Sequence, residues 1–495
     1  NVIVIMRLFP RRRVNCQTWE KDGIMRNLIK LVAFSTLAMA GLSTAAYAQQ
    51  FIVTSAANRG DGTLRHALSL ATAGEVDRVV VATEGDIQIR YGLIYGGSQA
   101  LSIVGTGQTV LGANDATLLT SLGGGDLSIM GLSFQGPGGF SINERSDIDG
   151  VSGKGIFVDV PDGATGTISL YLTNVAVSQV GNHGIHVSDC TLADACGGGQ
   201  DGSGDGSDAS IALLLQNVTI DDAGSGKLDA DGGRIDERGP GNVHLSVDSS
   251  LFTNVGADGV EVDEGQAGSV FATVTNTNFT ANGGYCDPSI LDAFMPDADE
   301  GEFSDGEASL DDIPSAERGS PDDGCFELEY DLYDSGSVEA FEIGIDLDDG
   351  IDFDESGSGS IFASMVDVAI TDNLDEGLDF DEADEGNIII NIIDSVATGN
   401  RDDGFKVSEE DDGGIVTIVS NSTAMENGGK GFVFEAEDDS ALFADFNGVS
   451  TSNNDDGDDT GLELVNEGEN SGFANVSNSS IADGIDADGV AVTQQ

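Results

Sequence analysis

Gly350-Ile351-Asp352-Phe353-Asp354, Gly377-Leu378-Asp379-Phe380-Asp381, Gly404-Phe405-Lys406-Val407-Ser408 and Gly431-Phe432-Val433-Phe434-Glu435 are one pattern written four times, 27 residues apart. A second column keeps the same period at Asn373, Asn400, Asn427 and Asn454. A fixed period of this length is the signature of a solenoid. Apolar and polar residues alternate after each glycine, which marks a half-buried strand. A second, β-branched strand follows in every unit: Ile361-Phe362-Ala363-Ser364-Met365-Val366, then Ile388 to Ile393, Ile415 to Val419 and Leu442 to Phe446. No run between them has helical length or spacing, so the unit is all-β. Such a coil cannot bury its apolar face alone, and stacking coils gives a parallel β-helix solenoid.

The alternation predicts two inward columns, Ile351, Leu378, Phe405, Phe432 and Phe353, Phe380, Val407, Phe434, with Asp352, Asp379, Lys406 and Val433 outward between them. The Asn column suits a turn in which the amide bonds its own backbone, tolerates a left-handed conformation and ladders onto the next coil. Its expected role is structural.

The segment ahead of the repeats reads differently. Met25, Arg26 and Lys30 precede an apolar run from Leu31 to Leu42 that ends in Ala46-Tyr47-Ala48. Residues 25–48 therefore read as a secretory signal peptide, and residues 1–24 as translated from upstream of the true start. The pattern points to a bacterial exported protein, secreted or held at the cell surface or in the periplasm. No later run is apolar for long enough to span a bilayer as a helix. The full chain has 20 Lys and Arg against 87 Asp and Glu, a net charge of −67, which becomes −72 once residues 1–48 are removed. A surface this acidic repels nucleic acid and anionic polymers unless cations intervene, and it attracts divalent metals. Adaptation to high salt is the alternative source of the acidity.

Residues 49–75 read as an N-terminal cap, and 76–495 as one β-helix with acidic insertions at about 190–209, 224–241 and 286–325. In the cap, Phe51-Ile52-Val53-Thr54-Ser55 is a strand. Leu64, Ala67, Leu68 and Ala71 after Thr63 have helical spacing. The strand and the run Gly60-Asp61-Gly62-Thr63-Leu64-Arg65-His66-Ala67 resemble the entry motif of bacterial right-handed parallel β-helix proteins, the pectate-lyase-like superfold. The resemblance covers about twenty residues and implies a right-handed solenoid whose apolar end the cap covers. It implies function only loosely, since lyases, adhesins and surface proteins share that rod.

Cys190, Cys196, Cys286 and Cys325 are the cysteines beyond the signal segment. Three pairings are possible; in an exported chain the local one, Cys190 with Cys196 and Cys286 with Cys325, is the most economical.

Three groups could carry chemistry. Asp348 and Asp349, Asp375 and Glu376, and Asp402 and Asp403 occupy one place in successive coils. Asp352 and Asp354, followed by Glu355, recur as Asp379 and Asp381, followed by Glu382. Carboxylates stacked at coil spacing are the hard oxygen ligands that Ca²⁺ prefers, with a solvated acidic face as the plain alternative. Arg401, Lys406 and Lys430 are the only basic residues after Arg318. They are candidates for the cation cluster of a polysaccharide lyase, or simply interrupt like-charge ladders. His183 and His186 sit at a coil turn that resembles the Gly-His-Gly turn of polygalacturonases, but they are not taken as catalytic, since the acidic and basic motifs of that family are missing around them. The leading expectation is a Ca²⁺-loaded binding or adhesive rod, with extracellular polysaccharide or cell-surface components reached through cation bridges. A Ca²⁺-dependent lyase or glycoside hydrolase on the same fold is the alternative.

Overall fold

Twelve parallel strands, from Leu93–Tyr95 to Ile485–Asp488, stand side by side in chain order, one contributed by each coil. A second, 22-stranded sheet takes the other strands of every coil, again in parallel. The computed structural model describes residues 49–140, 153–189, 206–226, 230–283, 327–332, 338–344, 348–410, 413–437, 440–454, 460–467 and 472–495. Cys190, Cys196, Cys286 and Cys325, and the residues 25–48 read as a signal peptide, lie outside them. Parallel strands joined by short crossovers in an unbroken series make a parallel β-helix, right-handed as such crossovers are. Among the described residues no helix is long and apolar enough to cross a membrane.

Register follows the 27-residue period. Ile351 pairs with Leu378 and Phe353 with Phe380, while Ile361 to Val366 pair with Ile388 to Ile393 and these with Ile415 to Ser420. The inward columns are fully buried, and Phe353 stacks on Phe380 at 4.2 Å and Phe405 on Phe432 at 4.9 Å. Rings stacked at coil spacing line the lumen, which is where most of the apolar stabilisation resides. The recurring glycine has a steric cause. A Cβ at Gly377 would lie 2.4 Å from the carbonyl oxygen of Gly404 and 2.7 Å from the Asn400 amide.

The Asn column is a buried side-chain ladder. Asn373 donates to Asn400 at 2.9 Å, Asn400 to Asn427 at 3.1 Å and Asn427 to Asn454 at 2.9 Å. It extends upstream to Asn282 and ends downstream on Asp483. Each amide oxygen also accepts the backbone N–H of the preceding coil's Asn, as Asn400 does from Asn373 at 3.2 Å, rather than its own backbone. The left-handed residue is not the Asn but its predecessor where the chain bends, as at Asp372, Glu426 and Asn453.

The cap is a helix, Leu64–Thr72, with Thr63 accepting from the His66 N–H and with Leu64, Ala67, Leu68 and Ala71 buried. Two expected boundaries differ. Residues 224–241 contain a regular strand, Gly233–Glu237, paired with Ile185–Ser188 and Val260–Glu264. Its glycines and charges mimic a loop because Gly232 and Gly233 sit at the turn into the strand, Arg234 and Asp236 face outward, and Glu237 turns into the lumen. The excursion after Gly283 runs to Asp348, so that Val270 pairs with Ile361, 91 residues away. Within it Glu327–Leu332 and Val338–Gly344 pair with each other in antiparallel fashion instead of opening a new coil.

Candidate cation-binding face

The outer face of the twelve-stranded sheet is a grid whose columns follow from register. Alternation sends the second and fourth residue of each strand outward, and the turn before the strand supplies a third position. Down the chain the turn column runs Lys154, His183, Asp231, Asp258, Asp349, Glu376, Asp403, Lys430. The next runs Phe157, His186, Arg234, Glu261, Asp352, Asp379, Lys406, Val433. The third runs Asp159, Ser188, Asp236, Asp263, Asp354, Asp381, Ser408, Glu435. Three consecutive coils thus present nine carboxylates, and bases stand only at the two ends.

This face is not the solvated one that the alternation suggests. Asp258, Glu261, Asp263, Asp349, Glu376, Asp379 and Asp403 are all below a tenth exposed, and Val433 is buried although it points outward. Adjacent carboxylates one coil apart, about 4.8 Å, repel by about 0.9 kcal/mol in water and about 3.5 kcal/mol at an effective dielectric of ~20. Burial therefore decides their protonation. Loss of hydration, then the charges of Glu376 and Asp258, raises the carboxyl of Asp349 well above its usual range. Asp352 and Asp381 are raised in the same way, first by desolvation and then by Asp354 and Asp379 respectively. Glu376 is pushed up to about 8 by burial and by Asp379, with Lys406 opposing.

At the upstream end Arg234 neutralises the grid. Its guanidinium contacts Glu261 and Asp263, holds Asp236 at 2.8 Å and reaches Asp231 at 3.7 Å, while Arg238 holds Asp263 at 2.8 Å. At the downstream end Lys406 binds Asp379 at 2.7 Å and Glu376 at 3.5 Å. Burial opposes the charge on Lys406, but Asp379, Asp381 and Glu376 overcome it and hold the ammonium protonated. Lys430 pairs with Glu463 at 2.9 Å. Between these ends Asp349, Asp352 and Asp381 have no ion-pair partner among the described residues. Asp349 Oδ1, Asp379 Oδ1 and Asp381 Oδ1 are buried without a hydrogen bond there.

Among the described residues, three sets of oxygens lie within 4.8 Å of one another: Asp231, Asp258 and Glu261; Glu261, Asp352 and Asp354; and Asp349, Asp375 and Glu376. The first set already faces Arg234. The last combines expected ligands from two coils. Asp348 is buried beside it, whereas Asp402 is exposed. Asp402 and Asp403 line a cavity of about 450 Å³ with Glu376, Lys406, Lys430, Val433 and Glu435. Arg401 lies exposed in its turn and does not join Lys406 and Lys430 there.

Several members of the face lie outside the sequence-derived set. Lys154 Nζ is 2.6 Å from His186 Nδ1, and His186 Nε2 is 2.5 Å from Asp236 Oδ2. Burial, reinforced by Lys154, pushes His186 down to about 4, so the imidazole is neutral and donates its Nε2–H to Asp236. Burial opposes ionisation of Asp236, yet Arg234 and His186 hold its carboxyl well below the usual range. The 27-residue step from Arg234 to Glu261 was the signal that could have placed this block.

One pair expected on the same face is split by it. Asp354 points outward and Glu355 into the lumen, in a fully buried column with Glu237, Glu264, Glu382 and Glu409. Glu237 accepts from the Gly241 N–H at 3.2 Å and Glu264 from the Gly268 N–H at 3.0 Å. Desolvation, and then the neighbouring carboxyls of the column, push Glu237 and Glu355 up to about 11.

No protein-family model matches the chain, and no curated protein matches it. Among solved structures it is similar to the Azotobacter vinelandii mannuronan C-5 epimerase AlgE4 A-module, at 12% identity over 89% of this chain and 95% of that one, with a TM-score of 0.43. It is also similar to the pectate lyase Pel9A, at 13% identity over 90% and 78% of the two chains, with a TM-score of 0.34. The Geobacillus virus E2 protein ORF18 gives 10% identity and a TM-score of 0.40 over 94% of this chain, which spans only 63% of that protein's length.

Proposed function

We propose that this is an exported, Ca²⁺-loaded β-helix whose twelve-stranded sheet binds acidic extracellular polysaccharide through the bound cations. The observation that carries the reading is the grid of nine carboxylates closed by Arg234 at one end and Lys406 at the other, with Asp349 and Asp352 between them lacking an ion-pair partner among the described residues. A buried row of carboxylates must either take up protons or hold a cation. Oxygens within 4.8 Å of one another need only small side-chain adjustments to gather round one ion at a Ca–O distance of about 2.4 Å, and all-oxygen sets select hard cations. Asp349, Asp375 and Glu376 would hold one ion, and Glu261, Asp352 and Asp354 a second. A bound divalent ion supplies positive charge that a uronate carboxylate can share. Lys430 and Lys406 would meet the same polymer in the neighbouring cavity.

Binding is tested by retention of the protein on alginate or pectate beads. Retention with Ca²⁺ and release by chelator support the reading. Equal retention with and without Ca²⁺, or none with it, contradicts it.

The chain Lys154–His186–Asp236 favours a second reading, proton-transfer catalysis on the same face. A neutral imidazole held between an amine and a carboxylate can relay a proton. Formation of unsaturated or new reducing ends from uronate polysaccharide, lost in His186→Gln, would establish it; silence across such substrates would leave the binding role.

A further inference from the structure

The outer face of the 22-stranded sheet carries a different chemistry, independent of the cation-binding face. Register aligns His244, Phe271 and Phe362, then Ile389, Val416, Phe443 and Phe473, in seven successive coils. All point outward. His244 stacks on Phe271 at 5.2 Å and Phe271 on Phe362 at 5.1 Å. Val416, Phe443 and Phe473 are 44%, 46% and 44% exposed. Contiguous exposed apolar surface of this kind marks an interaction site.

The stripe is also nearly free of charge in a chain with 87 carboxylates. Among the three outward positions of each of these seven strands, only Asp248 and Asp445 are acidic, and burial holds His244 towards its neutral form. Asp248 accepts from Thr275 at 2.9 Å and Asp445 from Asn475 at 2.8 Å, so both are engaged. Beside the stripe the next outward column is mostly polar, with Ser246, Thr273, Ser364, Asn391 and Asn475, and is interrupted by Ile418 and by the engaged Asp445.

We propose that this stripe is the docking surface for one linear, uncharged polysaccharide chain laid along the coil axis. An apolar group recurring once per coil, about every 4.8 Å, matches a polymer of repeated rings. Phenyl and branched aliphatic groups cover the C–H faces of sugar rings, and flanking hydroxyls and amides bond their hydroxyls. A second copy of this chain is the poorer occupant, because its own large negative charge opposes approach. An anionic polymer is opposed for the same reason, and a basic protein would be drawn to the carboxylate grid instead.

The test is affinity electrophoresis of the full chain, in chelator, through gels containing hydroxyethyl cellulose or galactomannan. The expected result is retardation by at least one of these neutral glycans without Ca²⁺. Phe443→Ala with Phe473→Ala weakens it by about tenfold or more, while melting stays at the wild-type value because both rings are nearly half exposed. Should the double variant melt lower, Phe443→Tyr with Phe473→Tyr keeps the rings and must keep the retardation. Absence of retardation in both gels, or equal retardation of the Ala variant, overturns the proposal. So does a wild-type dimer in sedimentation that the Ala variant dissociates, which would assign the stripe to a second copy. Failure here leaves the Ca²⁺-dependent binding on the other sheet untouched.

Discussion

Asp352→Asn, in the middle of the carboxylate grid, separates the roles of charge and cation. The side chain stands between Glu261 and Asp379 in the adjacent coils, with Asp349 and Asp354 beside it in its own. Without Ca²⁺, its charge adds repulsion of about 0.9 to 3.5 kcal/mol per close neighbour, depending on shielding. Arg234 and Lys406 already offset Glu261 and Asp379, so the residual is smaller than the sum. The Asn variant, nearly isosteric, is therefore expected to be more stable than wild type by about 1–3 kcal/mol in chelator at neutral pH. With Ca²⁺ this advantage shrinks, because the variant has lost a ligand. Wild type gains about 2.7 kcal/mol at a hundredfold excess of Ca²⁺ over Kd, and the variant gains less than half of that. The assay is denaturant unfolding followed by circular dichroism, in chelator and in Ca²⁺, with Na⁺ at matched ionic strength. A variant less stable than wild type in chelator, with an undiminished response to Ca²⁺, would refute the reasoning.

Other consequences follow from single contacts. Lys406→Met leaves Asp379 and Glu376 without their cation and is expected to cost about 2–3 kcal/mol, less than a fully buried pair because the amine is partly exposed; Lys406→Arg should restore most of it in the same unfolding assay. Asn400→Ala removes the acceptor of Asn373 and the donor to Asn427, and a loss of about 2–4 kcal/mol is expected, against no loss if the ladder were ornamental. The lumen carboxyl of Glu237 is raised to about 11 from 4.5, so the folded state binds a proton that the unfolded state releases. Its contribution is complete below about pH 4.5 and falls by about 1.4 kcal/mol per pH unit up to about 11. Glu237→Gln should flatten this decline, and a pH–stability curve parallel to wild type between pH 6 and 9 would contradict it.

The 27-residue columns made the coil, its inward residues and the Asn ladder legible, because each depends only on local alternation and period. The burial of the acidic face was not legible, since alternation distinguishes the two sides of a strand but not what covers the outer one. Asp354 and Glu355 show a finer limit: adjacent acids belong to opposite faces, and only strict period two along the strand separates grid from lumen. The recurring glycine four residues after each lumen acid, at 241, 268, 359, 386 and 413, was a usable sign of it. Arg234, Glu261 and Asp352 share one column, yet an excursion of unknown length lies between the last two. Periodicity cannot count across such a break, and the glycines and acids around Arg234 give residues 224–241 the composition of an insertion, so the columns upstream of Asp349 did not stand out.

Bound metal, measured by atomic emission after dialysis against excess Ca²⁺ in physiological Na⁺ and then against Ca²⁺-free buffer, tests the central claim most directly. The account predicts at least one Ca²⁺ retained per wild-type chain, and its loss in the Asp349→Asn, Asp352→Asn, Asp381→Asn variant with the fold intact. Negligible Ca²⁺ on wild type, or equal retention by the triple variant, would contradict it and return the grid to a row of protonated acids.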